Sequence, residues 1–197
     1  MVHVFIVFCH PSADSFTSSV LNQFTAGLRE AGVSFEITDL YGMNFSSEMS
    51  LTEFERETSY SVDLPLPEDV LQEQEKLNNA DLIVFIYPLW WSDCPAKLKG
   101  WFDRVYTVGF AYGTDDEFES KLKGKKGLVI CCAGHTKEEL EEAGIAESIR
   151  TVMLYDRMTH VGMEGAGLYL LGGCPEEVNR KNNLAWVYRL GRRLIEI

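Results

Sequence analysis

Three short apolar stretches limit what this chain can fold into: residues 2–8, 82–86 and 127–132. They lack the apolar-polar alternation of a half-exposed strand, so each suits a strand covered on both faces. Such strands belong to parallel sheets, whose neighbours must be joined by helical crossovers. The intervening segments have that character. From Phe16 the period becomes helical, with Thr17, Val20, Leu21, Phe24 and Leu28 on one side and Ala31-Gly32 as the stop. Residues 68–79 read as a helix after Pro67, and Pro95 suits the first position of another. That helix sets Leu98, Trp101, Phe102 and Val105 on one face, which makes Trp101 a core residue.

Residues 33–40 differ, because Val33, Phe35 and Ile37 alternate with Ser34, Glu36 and Thr38. Alternation places this strand at a half-exposed sheet edge. Residues 41–67 are irregular, acidic and rich in Ser and Glu, with one helical turn expected near residues 51–56. A loop of that length is expected to be functional or partner-facing. Residues 115–126 are charged and surface-like. Thr136 and Glu139 form a capping box before two helical segments that run to Met158 and break near Gly144. Residues 161–169 give a fifth strand, weakened by Gly162, Gly165 and Gly167. A last helix runs to Ile197 with Leu184, Val187, Leu190 and Leu194 inward and Arg189, Arg192 and Arg193 outward. Strands alternating with helices predict one α/β domain over residues 1–197. Its sheet is expected to be doubly wound, five-stranded and parallel, in the order 2-1-3-4-5, with helices on both faces.

Composition excludes several classes of function. The net charge of −12 argues against a nucleic-acid or anionic-membrane partner. Five cysteines without a C-x-x-C spacing argue against a disulfide framework or a zinc site, and no metal is expected. The first residues lead straight into a strand with no basic leader, and no apolar run approaches the ~18 residues that cross a bilayer. A cytoplasmic protein without membrane insertion is expected. No G-x-G-x-x-G follows the first strand and no Walker lysine is present, so neither dinucleotide fingerprint nor P-loop applies.

Chemistry then falls to three turns at the carboxyl ends of strands, where ligands of open parallel sheets sit. The first carries His10, Ser12, Ser15, Phe16 and Thr17. Its hydroxyls and the helix start can hold a phosphate, or Ser15 or Thr17 can act as a plain cap. His10 suits a phosphate contact or a strand-end cap. The second turn holds Tyr87, Pro88, Leu89, Trp90 and Trp91. Two adjacent Trp rings make a wall for a flat cofactor, or a plug for a core or subunit interface. The third is Cys131-Cys132-Ala133-Gly134-His135, whose adjacent cysteines suit inert packing at a buried strand end ahead of a redox pair. Asp103 and Arg104 suit an interface, a cofactor edge or a solvated pair, and Glu138, Glu139, Glu141 and Glu142 a solvated helix face.

The run PLWW…PAKLKGWFDRV…GFAYG from residue 88 to 113 resembles the signature of the NAD(P)H:quinone oxidoreductase family of flavodoxin-like flavoproteins. His10-Pro11 and Ser15-Phe16 match that family after the first strand, and together these stretches cover about a quarter of the chain. The resemblance implies a flavodoxin-like fold and a flavin, FAD with FMN as the alternative, with NAD(P)H as cosubstrate. It implies ping-pong hydride transfer through flavin N5 to a quinone or similar flat acceptor, in a homodimer with sites at the twofold interface. The flavin phosphate would lie on His10, Ser15, Phe16 and Thr17, where Thr17 replaces the family's usual Asn. The ring would lie among Pro88, Leu89, Trp90, Trp91, Cys132, Ala133 and Gly134, with the Ala133 and Gly134 N–H groups at its edge.

Cys131 and Cys132 stand for the family's threonines. Trp91, Phe110 and Tyr112 would line the acceptor pocket, the latter two reaching the neighbouring subunit. The Tyr and His that stabilise reduced flavin in relatives are replaced here by Leu140 and Ala146. That leaves Gly134 and His135 as catalytic candidates, helped by the helix from Thr136 or by Lys137. The competing readings are a regulatory flavoprotein subunit of a potassium-efflux-type transporter, a flavodoxin-like electron carrier, or a non-flavin binding module on the same fold.

Overall fold

The structure, a computed structural model, describes residues 2–114 and 118–194. Its five strands are β1 (His3–Phe8), β2 (Ser34–Asp39), β3 (Leu82–Pro88), β4 (Lys126–Cys132) and β5 (Glu164–Leu171). All pair in parallel, in the order β2-β1-β3-β4-β5. The apolar stretches do not alternate because both faces of the central strands are buried. Phe5, Val7, Ile83, Phe85, Val129 and Cys131 enter one core, and Val4, Ile6, Val84, Ile86, Leu128 and Ile130 the other.

Helix α1 (Phe16–Glu30) covers the second core together with α7 (Glu177–Arg193), and the two helices touch backbone to backbone. A Cβ on Gly27 would lie 2.3 Å from the Tyr188 carbonyl, and one on Gly191 2.3 Å from that of Phe24. Only glycine permits this approach. The first core is covered by α3 (Glu68–Asn79), by α4 (Ala96–Val105) and by a π-helical stretch, Arg150–Thr159. On α4 the four expected residues, Leu98, Trp101, Phe102 and Val105, are all buried, with Pro95 at the cap rather than inside the helix.

The edge strand departs from its expected alternation. Thr38 is buried, whereas Ile37 is 36% exposed. A polar network outbids the apolar side chain. Glu73 of α3, itself fully buried, accepts hydrogen bonds from Thr38 Oγ1 at 2.9 Å, Lys76 Nζ at 2.7 Å and Trp101 Nε1 at 2.9 Å. Buried polar groups need such satisfaction, and it fixes which face of β2 turns inward.

The long acidic segment holds a full helix, α2 (Leu51–Thr58), begun by a Ser50–Glu53 capping box. Arg104 ties it to the body. This side chain is buried, contrary to a solvated or cofactor-edge role, while Asp103 pairs with Lys99 at the surface. Arg104 donates to Glu53 at 2.8 Å, to both oxygens of Asp69 at 2.6 and 3.0 Å, and to the Ser46 carbonyl at 2.9 Å.

The Thr136–Glu139 capping box opens α5 (Lys137–Glu142) as expected, and Gly144 breaks the helix in the left-handed region (φ 71°). Beyond it, α6 (Ile145–Ile149) runs into the π-helical stretch, which the sequence pattern did not distinguish from an α-helix. Strand β5 starts at Glu164 rather than near residue 161, because Val161 and Gly162 are held in a turn by the Met158 and Thr159 carbonyls. The expected helix end at residues 195–197 and part of the charged stretch, residues 115–117, lie outside the described residues.

The Arg104 hydrogen bonds hold the Asp69 carboxyl below its ordinary range. A lowered folded value means that Asp69 stabilises the fold above the unfolded carboxylate range and loses this contribution as pH falls through the folded value. Thermal unfolding of Asp69→Asn is therefore expected to depend less on pH than the parent below about pH 4. An unchanged acid limb would refute the assignment.

Candidate functional site

The carboxyl ends of β1, β3 and β4 bring the three expected turns to one edge of the sheet. In the first, His10 Nδ1 accepts the Ser12 N–H at 3.0 Å and Ser12 Oγ accepts that of Asp14 at 3.2 Å. Ser15 caps α1, its Oγ accepting from Ser18 N–H at 3.0 Å, while Ser18 Oγ donates to the Ser12 carbonyl at 2.7 Å. The Ser15 hydroxyl is thus a cap. Thr17 is buried, so its hydroxyl is turned away from solvent. What this turn offers a ligand is backbone. The N–H groups of Phe16 and Thr17 have no partner among the described residues, as the first turn of a helix dictates. An anion fits there. Arg180 of α7 lies 5.4 Å over the Phe16 ring and has no carboxylate partner among the described residues. This cation was not legible in the sequence, since it is far along the chain and its own helix marks it only as a solvent-facing Arg.

The second turn is joined to the third by the Leu89 N–H, which donates to the Cys132 carbonyl at 2.8 Å. Trp90 and Asp93 then exchange both backbone hydrogen bonds, at 3.0 and 3.1 Å. Between them Trp91 (φ 49°) and Ser92 (φ 64°) both occupy the left-handed region. Tight hairpins of this kind normally place Asn and Gly there. Trp90 is 39% exposed and meets the His10 ring edge-on at 6.0 Å, while Trp91 is 101% exposed. Neither ring plugs the chain's own core.

In the third turn Ala133 continues the sheet, its N–H donating to the Leu171 carbonyl at 3.0 Å. That donor, expected to face a ligand, is occupied by the β4–β5 ladder. The N–H groups of Gly134 and His135 have no partner among the described residues. Open space surrounds Gly134, where a Cβ would meet nothing within 4 Å. The His135 side chain is largely exposed, with Nδ1 3.5 Å from Glu139 Oε2. Leu140 and Ala146 are buried against Ala133, so neither offers a polar side chain to this turn. Burial pushes the thiols of Cys131 and Cys132 well above their ordinary values, that of Cys9 up to about 12 and that of Cys94 to about 11. These thiols are unreactive at neutral pH.

Phe110 packs inward within its own chain. It is 6% exposed and closes the first core. Tyr112 lies at the surface, where its O–H donates to Glu57 Oε2 at 2.6 Å. The same oxygen accepts the Val108 N–H at 2.7 Å, and Arg56 bonds Glu57 Oε1 at 2.7 Å and the carbonyls of Leu64 and Val108. Burial and the Glu57 bond push the Tyr112 phenol up, so it is no acid near neutrality. Tyr112 borders a cavity of about 440 Å³ with Phe118 and His160, apart from Trp91. Another, of about 540 Å³, opens at the opposite edge of the sheet between Leu82, Leu128 and Leu190, and none of the site residues lines it. Among the described residues there is no cluster of metal ligands and no helix long and apolar enough to cross a membrane.

Comparison with known proteins agrees with this geometry. Residues 2–185 match the family described as having a flavodoxin-like fold. A protein of Haemophilus influenzae named "Uncharacterized NAD(P)H oxidoreductase" is 34% identical over 169 residues, covering 85% of this chain and 82% of that one. The "Ribosyldihydronicotinamide dehydrogenase [quinone]" of Mus musculus is 32% identical over 161 residues, covering 75% of this chain and 70% of that one. A solved structure of the NAD(P)H:quinone oxidoreductase from Methanothermobacter marburgensis superposes with a TM-score of 0.90 at 51% identity, covering 98% of this chain and 97% of that one. A chain with this sheet order, these three strand-end turns and these relatives belongs to the flavodoxin-like family, among the NAD(P)H:quinone oxidoreductases.

Proposed function

We propose that this chain is a flavin-dependent NAD(P)H dehydrogenase that passes two electrons as hydride to a quinone or a similarly flat acceptor. One observation carries the proposal. Two unpaired N–H groups at the start of α1 and two at Gly134-His135 flank an exposed pair of Trp rings on one sheet edge. These residues fit a flavin. Phe16 and Thr17 N–H would take its phosphate, with Arg180 as the nearby cation. Pro88, Leu89 and Trp90 would wall the ring, and the N–H groups of Gly134 and His135 would meet its polar edge. A flavin there would supply the two-electron hydride chemistry. The protein supplies donors already oriented where negative charge develops, each worth about 3 kcal/mol in comparable sites. Trp91 leaves one face open for nicotinamide and acceptor in turn, which gives ping-pong order. The α1 terminus can hold the phosphate of FMN or the pyrophosphate of FAD.

The second copy of the chain completes the acceptor pocket in this reading. Leu51, Phe54, Val62 and Leu71 are each more than half exposed on and around α2, beside the Glu57–Tyr112 bond. Such apolar exposure marks a protein contact. A homodimer would cover it and carry Tyr112 to the neighbouring site. The five cysteines, all free, suit a reducing cytoplasm.

Purified protein is expected to be yellow, with flavin absorption near ~450 nm that NADH or NADPH bleaches and a quinone restores. Chromatography of the released flavin identifies FAD or FMN. Colourless protein that takes up neither would overturn the reading. His135→Ala is expected to lose less than about tenfold in the rate of flavin reduction, because backbone donors carry the charge. A thousandfold loss would instead make the imidazole the essential donor. Phe54→Lys combined with Val62→Lys is expected to give a monomer by sedimentation that keeps flavin and loses quinone reduction. A dimer with full activity would remove this surface from the interface.

A further inference from the structure

Left-handed dihedrals cost a non-glycine residue about 1–2 kcal/mol, and Trp91 and Ser92 carry them consecutively. Strain of this kind persists only where the surroundings fix it. One end of the turn is fixed by β3 and by the Leu89–Cys132 hydrogen bond. The other end is Asp93. Its backbone pairs with Trp90, and its Oδ1 accepts the Cys94 N–H at 2.7 Å. The same oxygen lies 3.4 Å from a guanidinium nitrogen of Arg157, which also reaches Cys94 Sγ at 3.3 Å and Met153 Sδ at 2.9 Å. The guanidinium stacks 4.9 Å over the Phe102 ring.

Arg157 is a costly side chain in this place. It is 7% exposed, its carboxylate partner is half exposed, and its other acceptors are sulfurs, which accept weakly. Close by, the buried Tyr106 hydroxyl has no hydrogen-bond partner among the described residues. An apolar residue of the same length would cover Phe102 without the desolvation of a charge. The stretch that delivers Arg157 is π-helical, a form that is rare and concentrates at functional sites.

We propose that Arg157 is a positioning residue: from beneath the sheet edge it grips Asp93 and Cys94, and so holds the Trp91-Ser92 turn in the strained shape that sets Trp90 against the cofactor and keeps Trp91 beside its open face. The inference rests on the reading of this turn as a cofactor wall, but the grip itself is a property of the protein without cofactor. Arg157 touches no reacting atom.

The test uses the full chain with tryptophan replaced by 5-fluorotryptophan, and Arg157→Met, which keeps the volume and removes the charge. In the flavin-free protein the fluorine resonances of Trp90 and Trp91, assigned through their Phe variants, are expected to broaden or split in Arg157→Met and to recover in Arg157→Lys. Flavin affinity is expected to fall about tenfold in Arg157→Met, the size of one released strained residue. In a Ser92→Gly background, where glycine adopts the turn unaided, the same substitution is expected to cost less than about threefold. Unmoved resonances, or a full tenfold loss that persists beside Gly at 92, would overturn the proposal. So would a shift in flavin potential with affinity unchanged, which would assign Arg157 a direct electrostatic role. If the resonances move but neither parent nor variant takes up flavin, the grip stands and the cofactor reading fails. Should Arg157→Met not fold, Asp93→Asn removes the other end of the grip and is expected to broaden the same two resonances; unchanged resonances there would likewise overturn it.

Discussion

The hydrogen-bond ladder that joins β3, β4 and β5 continues past the ends of the strands, and the carboxyl edge depends on it. Leu89 donates to Cys132, and Ala133 to Leu171. These two bonds carry the register of the sheet into the turns, so loops from separate parts of the chain leave the edge at fixed heights. They also decide which donors remain. The Ala133 N–H is used to extend the sheet, and that is why the Gly134 and His135 N–H groups are the first free ones beyond it. The donors this edge leaves free are therefore mostly backbone, with Cys131, Cys132, Leu140 and Ala146 buried behind them.

A second constraint is the way an acidic chain buries cations. Arg56, Arg104 and Arg157 are each less than a tenth exposed. Arg104 and Arg56 are matched by Glu53, Asp69, Glu57 and carbonyl oxygens, and they fasten the long acidic segment to α4 and to the turn that bears Tyr112. Breaking a matched buried pair leaves an unpaired charge and costs about 3–5 kcal/mol. That segment is therefore a fixed part of the body, and it can shape the surface beside Tyr112. Arg157 differs because its partners are weak, and its place under the Trp turn gives that weakness a use.

Much of this was legible in the sequence. Covered strands announce themselves through runs such as LIVFI, and the helices of α1, α3 and α4 through the spacing of their apolar residues. Thr136–Glu139 is a local rule of capping chemistry and held as read. The family-like run from Pro88 to Gly113 lies at the carboxyl edge of the sheet, in and after β3. Misreadings came where long-range polar contacts outweighed local pattern. Thr38 turned inward for Glu73, and Arg104 was drawn beneath α2.

By itself the sequence determined the covered sheet, the crossover helices and the identity of the three turns, because periodicity and capping act between residues close in the chain. Only the tertiary structure decided which N–H groups stay unpaired, that Leu89 meets Cys132, and that Arg157 and Arg180 arrive at turns far from them in sequence. Those outcomes depend on which partners meet in space, and a buried polar group is committed by its partners rather than by its neighbours along the chain.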